Sequence, residues 1–448
     1  MTYETITLSG DAVDEWTFQS ADTQYLTHGL HPYPARMIPQ LASKLIARYS
    51  QERNWVLDPF CGSGTVLVEC KLKNRNSIGN EINPLAVLLS IVKTTPLNTK
   101  ELKDKSKELM DKVQESIHIY RNRQSKNKST TIEKWTENNA KIKINLEDIK
   151  KPFFPNMNLW FKKDIADELS IIRNSILNLD WEEKYVNFFK ICLSFTAMKA
   201  SNADFESHQS HPSRYKTEKL NIRSLDVLSI FRKKVDASMK RVTDFSEKIL
   251  DNKVECFVLS GDARKLDLKG IGRDKGVDLI VTSPPYGEEQ NTIGYHRWSR
   301  IMAYWVGFSQ DDIKKCERFT LGAKPDINVR VPSKTAHFFI DLVREKSKRK
   351  NGKTRAANLA SFFYDYYESI VQMSKWLRPG GKAAIIVGNR LVAGHRISMD
   401  RVTVELAKKC ELKEIKTYYR DIPNTVMPKR IPEGETIAKE SIIVLEKK

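Results

Sequence analysis

Cysteine is scarce in this chain, with six in 448 residues, and those six are scattered. Cys61, Cys70, Cys192, Cys256, Cys316 and Cys410 show neither the close pairing of a thiolate metal site nor the intervals of a disulfide framework. No metal is expected, and free structural thiols in a reducing compartment are. Long apolar runs are missing too, so no membrane span is expected. The opening MTYETITLSGDAVDEW lacks the basic-then-apolar order of a signal peptide. Both absences lead to the expectation of a cytoplasmic, nucleoid-associated protein without a membrane partner. Acids are the other shortage: 56 Asp+Glu against 75 Lys+Arg leave a formal charge of +19. There is no clear basic amphipathic helix to seat on an anionic membrane, so the excess points to nucleic acid.

What is present begins with a core: 40% of residues are hydrophobic, enough for one large domain carrying an insertion, or for two domains. A Pro-rich loop, His31-Pro32-Tyr33-Pro34-Ala35-Arg36-Met37, feeds a helix with apolar residues at 38, 41, 45, 46 and 49. Residues 55–58 read as a short strand. Pro59-Phe60-Cys61-Gly62-Ser63-Gly64-Thr65 is a glycine turn into a helix, and a second strand ends at Glu81-Ile82 before Pro84 opens another helix. This strand–turn–helix–strand–acid order is the first half of an α/β nucleotide-binding fold. The turn brings free backbone amides close to a ligand. It lacks the Lys-Ser/Thr pair of a nucleoside triphosphatase, so ATP hydrolysis is not expected. Residues 99–150 are highly charged with few apolar positions. Residues 158–200 read as two amphipathic helices and 220–250 as one long helix. Residues 96–250 therefore read as a mainly helical insertion into a unit formed by 1–95 and 251–448. Strand character returns at residues 254–259, followed by Gly261-Asp262-Ala263-Arg264.

The sharpest stretch is Val277-Asp278-Leu279-Ile280-Val281-Thr282-Ser283-Pro284-Pro285-Tyr286-Gly287. An apolar strand stops at two prolines, which cannot continue a central ladder. A hydroxyl, a rigid carbonyl and an aromatic ring are thereby set at the carboxyl end of a buried strand, the edge where open α/β sheets bind ligands. That set suits one chemistry. An exocyclic amino group on a nucleobase is a poor nucleophile because its lone pair is delocalised into the ring. Acceptors that take hydrogen bonds from the NH2 localise that lone pair. Ser283 Oγ and the Pro284 carbonyl are such acceptors, Pro-Pro fixes their direction, and Tyr286 can stack on the base.

Together, DPFCGSGT, GNEINP, GDAR and TSPPYG resemble the S-adenosylmethionine-dependent amino-group DNA methyltransferases of the cytosine-N(4) type. The resemblance covers roughly residues 25–95 and 254–448. It implies a Rossmann-like class I fold with a mainly parallel seven-stranded sheet, and S-adenosylmethionine as cofactor. It implies cofactor contacts from His31, Tyr33, Pro34, Ala35 and Arg36 upstream; from Asp58, Pro59, Phe60, Cys61, Gly62, Gly64 and Thr65 in the turn; from Glu81 and Ile82 at the ribose; and from Asp262, Ala263 and Ser283. Ser283, Pro284, Pro285 and Tyr286 become the catalytic pocket, receiving a base flipped from duplex DNA. In that family Ser at the first motif position goes with the 4-amino group of cytosine, and Asp or Asn mostly with the 6-amino group of adenine. Adenine-N(6) methylation, RNA guanine-N(2) methylation and a non-catalytic DNA-binding role are the alternatives. Carbon-5 methylation needs a thiolate in a Pro-Cys setting, and none of the six cysteines follows a proline.

DNA contacts are expected from the insertion, including Arg214 and Lys216 beside His208 and His211, and from the basic segment 311–356. In that segment residues 344–355 hold seven Lys/Arg, among them Lys348, Arg349 and Lys350. A cognate restriction endonuclease is the expected protein partner. Trp298 and Trp305 are expected in the core, and Asn389 beside the base pocket.

Overall fold

The computed structural model describes residues 15–34, 36–126, 149–205, 211–212, 225–249, 253–287, 294–346, 352–422 and 438–448. At its centre is a sheet of seven strands: β1 (Trp55–Asp58), β2 (Asn76–Glu81), β3 (Cys256–Ser260), β4 (Val277–Thr282), β5 (Leu377–Gly388), β6 (Leu412–Asp421) and β7 (Lys439–Lys447). Their order across the sheet is β6-β7-β5-β4-β1-β2-β3. β3, β2, β1, β4 and β5 run parallel, and only β7 is antiparallel, inserted between β5 and β6.

Parallel strands buried on both faces read as unbroken apolar runs, and period two then divides them between two cores. Val56, Leu279, Val281, Ala384, Ile386, Ile442 and Val444 face one core, covered by α1 (Pro39–Tyr49) and α2 (Thr65–Leu72). Leu57, Ile280, Ala383, Ile385, Ile443 and Leu445 face the other. That face lies under α10 (Lys334–Lys346), α11 (Gly352–Trp376) and α12 (Met399–Lys409).

A third core is mainly helical. It gathers α3 (Pro84–Thr94), α4 (Thr99–Lys126), α5 (Lys163–Leu177), α6 (Glu183–Ala200), α7 (Val227–Lys248) and α8 (Tyr295–Trp305). Because α3 and α8 belong to it, this core runs across the boundaries drawn from sequence at 95 and 250. Trp298 and Trp305 are buried in it.

Three segments carry structure that their composition did not indicate. The charged residues after 99 form a 28-residue helix. Its Leu102, Leu109, Val113 and Ile117, spaced seven, four and four, make one narrow buried stripe hidden among lysines and glutamates. The basic segment 311–356 holds nearly all of α9 (Gln310–Phe319), all of α10 and the start of α11. The Pro-Gly-Gly stretch at residues 377–382 does not end a strand but makes an irregularity inside β5. There Val277 pairs with Leu377 while Leu279 pairs with Lys382. Among the described residues no helix is long and apolar enough to cross a membrane.

Gly276, which opens β4, has φ +75°, and a Cβ there would meet the Trp376 carbonyl oxygen at 2.5 Å. Gly270 has open space around it. Gly276→Ala is therefore expected to lower unfolding stability by about 2 kcal/mol or more in urea melts, with Gly270→Ala close to neutral. Equal effects at the two positions would contradict this account of the β4 entry.

Candidate active site

The parallel strands deliver their polar ends to one edge, because each must stop where the sheet does. Asp58 ends β1 and Glu81 ends β2, while Asp262 and Ser283 stand just beyond β3 and β4. A cleft with an empty volume of about 950 Å³, its open mouth included, lies over them. Of the residues expected to hold a cofactor, Tyr33, Arg36, Asp58, Pro59, Phe60, Cys61, Gly62, Thr65, Glu81, Ile82, Asp262, Ala263 and Ser283 line it, and so does Pro285.

The glycine turn is shaped for this approach. Gly62 and Gly64 have φ +51° and +83°, and a Cβ on Gly64 would lie 3.0 Å from Ser90 Cα. The turn is tied to the next strand end through Glu81. One Glu81 oxygen accepts the Gly62 N–H (2.9 Å), and the other accepts those of Ile82 (3.0 Å) and Asn83 (2.9 Å). With two lone pairs per oxygen, one direction stays open on the oxygen that faces Gly62, enough for one strong ligand hydroxyl. Asn80 donates to the Pro59 and Gly261 carbonyls (3.3 and 3.1 Å), joining the loops that follow β1 and β3.

Asp58 accepts from Thr282 Oγ1 (2.7 Å) and from the Phe60 N–H (3.1 Å), both on Oδ1. Burial pushes its pKa from 3.8 up to about 7, the neighbouring Glu81 charge adds to this, and the two hydrogen bonds oppose it. Glu81 is raised as well, again by burial and against its three amide donors. Neither acid has a cation among these partners.

The opposite charge collects a short way off. Arg36 lines the cleft and gives Nη1 to the His28 carbonyl (2.7 Å). Lys93 is fully buried and donates to Ser63 Oγ (3.1 Å). Burial, together with the Arg36 and Lys234 charges, holds its pKa well below the usual lysine range. A ligand carrying both a cation and a carboxylate fits this pattern of unmatched acids and unmatched cations.

Several expected residues are elsewhere. His31 is 0% exposed, with Nδ1 at 2.6 Å from the Pro32 carbonyl and Nε2 at 3.1 Å from Ser194 Oγ. Burial lowers its pKa to about 3, so it is a neutral packing residue rather than a ligand-facing one. Pro34 and Gly64 are buried beneath the cleft lining, and Ala35 lies outside the described residues. Pro284 and Tyr286 are not on the cleft wall. The partly buried Tyr286 ring packs against the sheet core and its hydroxyl donates to Glu440. Asn389 instead accepts the Asp400 N–H at 3.4 Å. Asp262 is occupied by Arg264, which bridges it to Asp365 (2.7 Å to each). Cys61 is buried with its thiol pushed well above the usual range, consistent with packing and not nucleophilic attack. Arg214, Lys216, Lys348, Arg349 and Lys350 fall outside the described residues, as does His208.

The far wall was missed from sequence. Tyr295 of α8, and Cys316, Phe319, Thr320 and Leu321 at the end of α9, close the cleft. The one available signal was the apolar pair Phe319 and Leu321 in a polar stretch. Asn83 was also legible: it caps α3 by accepting the Leu85 N–H (3.1 Å), directly before Pro84.

A DNA methylase family model matches residues 11–92. The type II methyltransferase M.MvaI of Kocuria varians is 30% identical over 451 residues, spanning 95% of this chain and 90% of that protein. The chain belongs to the type II DNA methyltransferases. M.MjaII of Methanocaldococcus jannaschii is 26% identical over 66% of this chain and 64% of its own length. A solved S-adenosylmethionine-dependent methyltransferase from Methanosarcina mazei overlays with a TM-score of 0.32 at 9% identity, over 90% of this chain and 96% of that one. That likeness is too slight to build on, and the sheet order itself carries the fold. The methyl donor of this methyltransferase is S-adenosylmethionine, and its substrate is DNA.

The buried acid gives a pH signature. A carboxyl whose folded pKa is raised contributes stability that is full below its unfolded value and is lost as pH rises through about 7. Asp58→Asn is therefore expected to raise the melting temperature of the cofactor-free methyltransferase more at pH 8 than at pH 5. The shift from 3.8 to about 7 sets an upper bound of ~4 kcal/mol. Equal changes at both pH values would contradict the assignment.

Proposed function

We propose that this methyltransferase modifies the exocyclic 4-amino group of cytosine, on a base extruded from duplex DNA. The observation that carries the choice is Ser283. A hydroxyl, not a carboxylate or carboxamide, stands on the cleft wall just past β4, beside the site for the donor.

When bound, S-adenosylmethionine supplies a methyl group activated by a positive sulfur. The rest of the work belongs to the chain. The cleft acids Asp58 and Glu81 would hold the amino and ribose parts, and Arg36, with buried Lys93 behind Ser63, would meet the carboxylate. Ser283 Oγ and the Pro284 carbonyl would accept hydrogen bonds from the base NH2 and direct its lone pair toward the methyl group. Proximity of two sites on adjacent strand ends is worth several orders of magnitude in rate. No general base with a tuned pKa is required, because the amine becomes acidic as it is alkylated.

Residues 96–250 are assigned here to target recognition. Lys348, Arg349 and Lys350, with Arg214 and Lys216, are assigned to DNA contacts, on charge. A restriction endonuclease of matching specificity is the proposed partner. Adenine-N(6) methylation is the second reading, since the matching family model bears both the N6 and N4 designations.

Nucleoside mass spectrometry of DNA treated with the protein and S-adenosylmethionine is expected to show N(4)-methylcytosine; methyladenine as the sole product would refute the choice. Neutralising Lys348, Arg349 and Lys350 together is expected to reduce the slope of log K against log salt by about two to three, with site preference kept. An unchanged slope would remove that segment from the interface.

A further inference from the structure

The cleft residues account for one side of Ser283. On its other side lies a hydrogen-bonded chain that leaves the motif through Tyr286 and ends on Glu440, which no sequence motif marks. Ser283 Oγ is 2.8 Å from the Tyr286 hydroxyl oxygen, and that hydroxyl donates to Glu440 Oε1 at 2.8 Å. Glu440 sits at the start of β7, where the antiparallel strand returns beside the carboxyl ends of its neighbours. It pairs in register with Gly388 of β5 and with Arg420 of β6. Arg420, only 3% exposed, places Nη1 at 3.5 Å from Glu440 Oε2.

We propose that Glu440 is a positioning residue which, through Tyr286, fixes Ser283 as a hydrogen-bond acceptor toward the target amino group. The inference rests on the assignment of Ser283 to the base pocket. Its logic is proton counting. A hydroxyl has one proton and two lone pairs and can point either way, whereas an ionised carboxylate only accepts. The Tyr286 proton is therefore committed to Glu440, which leaves the tyrosine oxygen as an acceptor toward Ser283. The Ser283 proton then goes to Tyr286, and the serine lone pairs are left facing the cleft.

That polarity is the one the chemistry needs. A base amino group offers two N–H donors and no available lone pair, so a serine turned the other way would meet it proton to proton. Burial and the Glu440 charge keep the Tyr286 phenol protonated, its pKa held well above the usual range, so the direction of the chain is not inverted. An aspartate or asparagine oxygen at the first motif position is an acceptor without help. Serine is not, and Glu440 supplies from the next strand what its side chain lacks.

The test compares Ser283→Ala, Tyr286→Phe, Glu440→Ala, Glu440→Gln and the Tyr286→Phe/Glu440→Ala double variant in the full-length protein. Single-turnover methyl transfer to duplex DNA is measured beside S-adenosylmethionine affinity by calorimetry. Tyr286→Phe and Glu440→Ala are each expected to slow transfer by roughly tenfold or more, with cofactor affinity within about twofold of the parent protein. The double variant is expected to be no slower than the worse single, because both break one chain. Glu440→Gln, which keeps an acceptor oxygen, is expected to recover part of the rate. Should Glu440→Ala not fold, Tyr286→Phe, which deletes one oxygen, decides. A rate within twofold of the parent for Tyr286→Phe or Glu440→Ala, or full additivity in the double variant, would overturn the relay. A rate within twofold for Ser283→Ala would instead overturn the pocket assignment beneath it.

Discussion

One buried hydrogen bond joins the two halves of this site. Thr282 Oγ1 donates to Asp58 Oδ1 at 2.7 Å, across the adjacent strands β4 and β1. Thr282 is the last residue of β4, and the next residue is Ser283. Asp58 is the last of β1, and the glycine turn follows it. The bond thus fixes the distance between the cleft proposed to take the donor and the serine proposed to take the base. It also offsets part of the cost of burying Asp58, whose pKa still rises to about 7.

The remaining geometry follows from keeping polar groups satisfied at the end of a dry sheet. Glu81 answers three backbone N–H groups, Asn80 bridges two carbonyls, and Arg264 ties Asp262 to Asp365. These bonds hold the loops in place without a ligand, so less ordering remains to be done when one arrives. Asp58 and Glu81 are left without a cation among these partners, and burial raises the pKa of both.

Much of this was legible in the chain. Strands buried on both faces, such as Val277–Thr282, are mostly apolar, and glycine and proline punctuate their ends at 62, 64, 284 and 285. The motif acids fall at strand ends because strand length fixes where a side chain emerges. The failures have physical causes too. His31 carries the chemistry of a ligand, yet its contacts with Ser194, Phe195 and Trp298 come from elements far away in sequence. The wall at Cys316–Leu321 and the Glu440 carboxylate reach the site only through tertiary packing. Helix α4 was masked by its charge, because six buried hydrophobic residues in 28 suffice when the partners are helices on the same core.

The central claim is that a flipped cytosine meets Ser283 and the Pro284 carbonyl beside the bound donor. A crystal structure of the protein with a non-transferring cofactor analogue and its duplex target measures this directly. The account predicts the cytosine out of the stack, with N4 within hydrogen-bond distance of Ser283 Oγ and the Pro284 carbonyl oxygen. A different base in that pocket, or a cytosine N4 held by other groups with Ser283 unengaged, would contradict it.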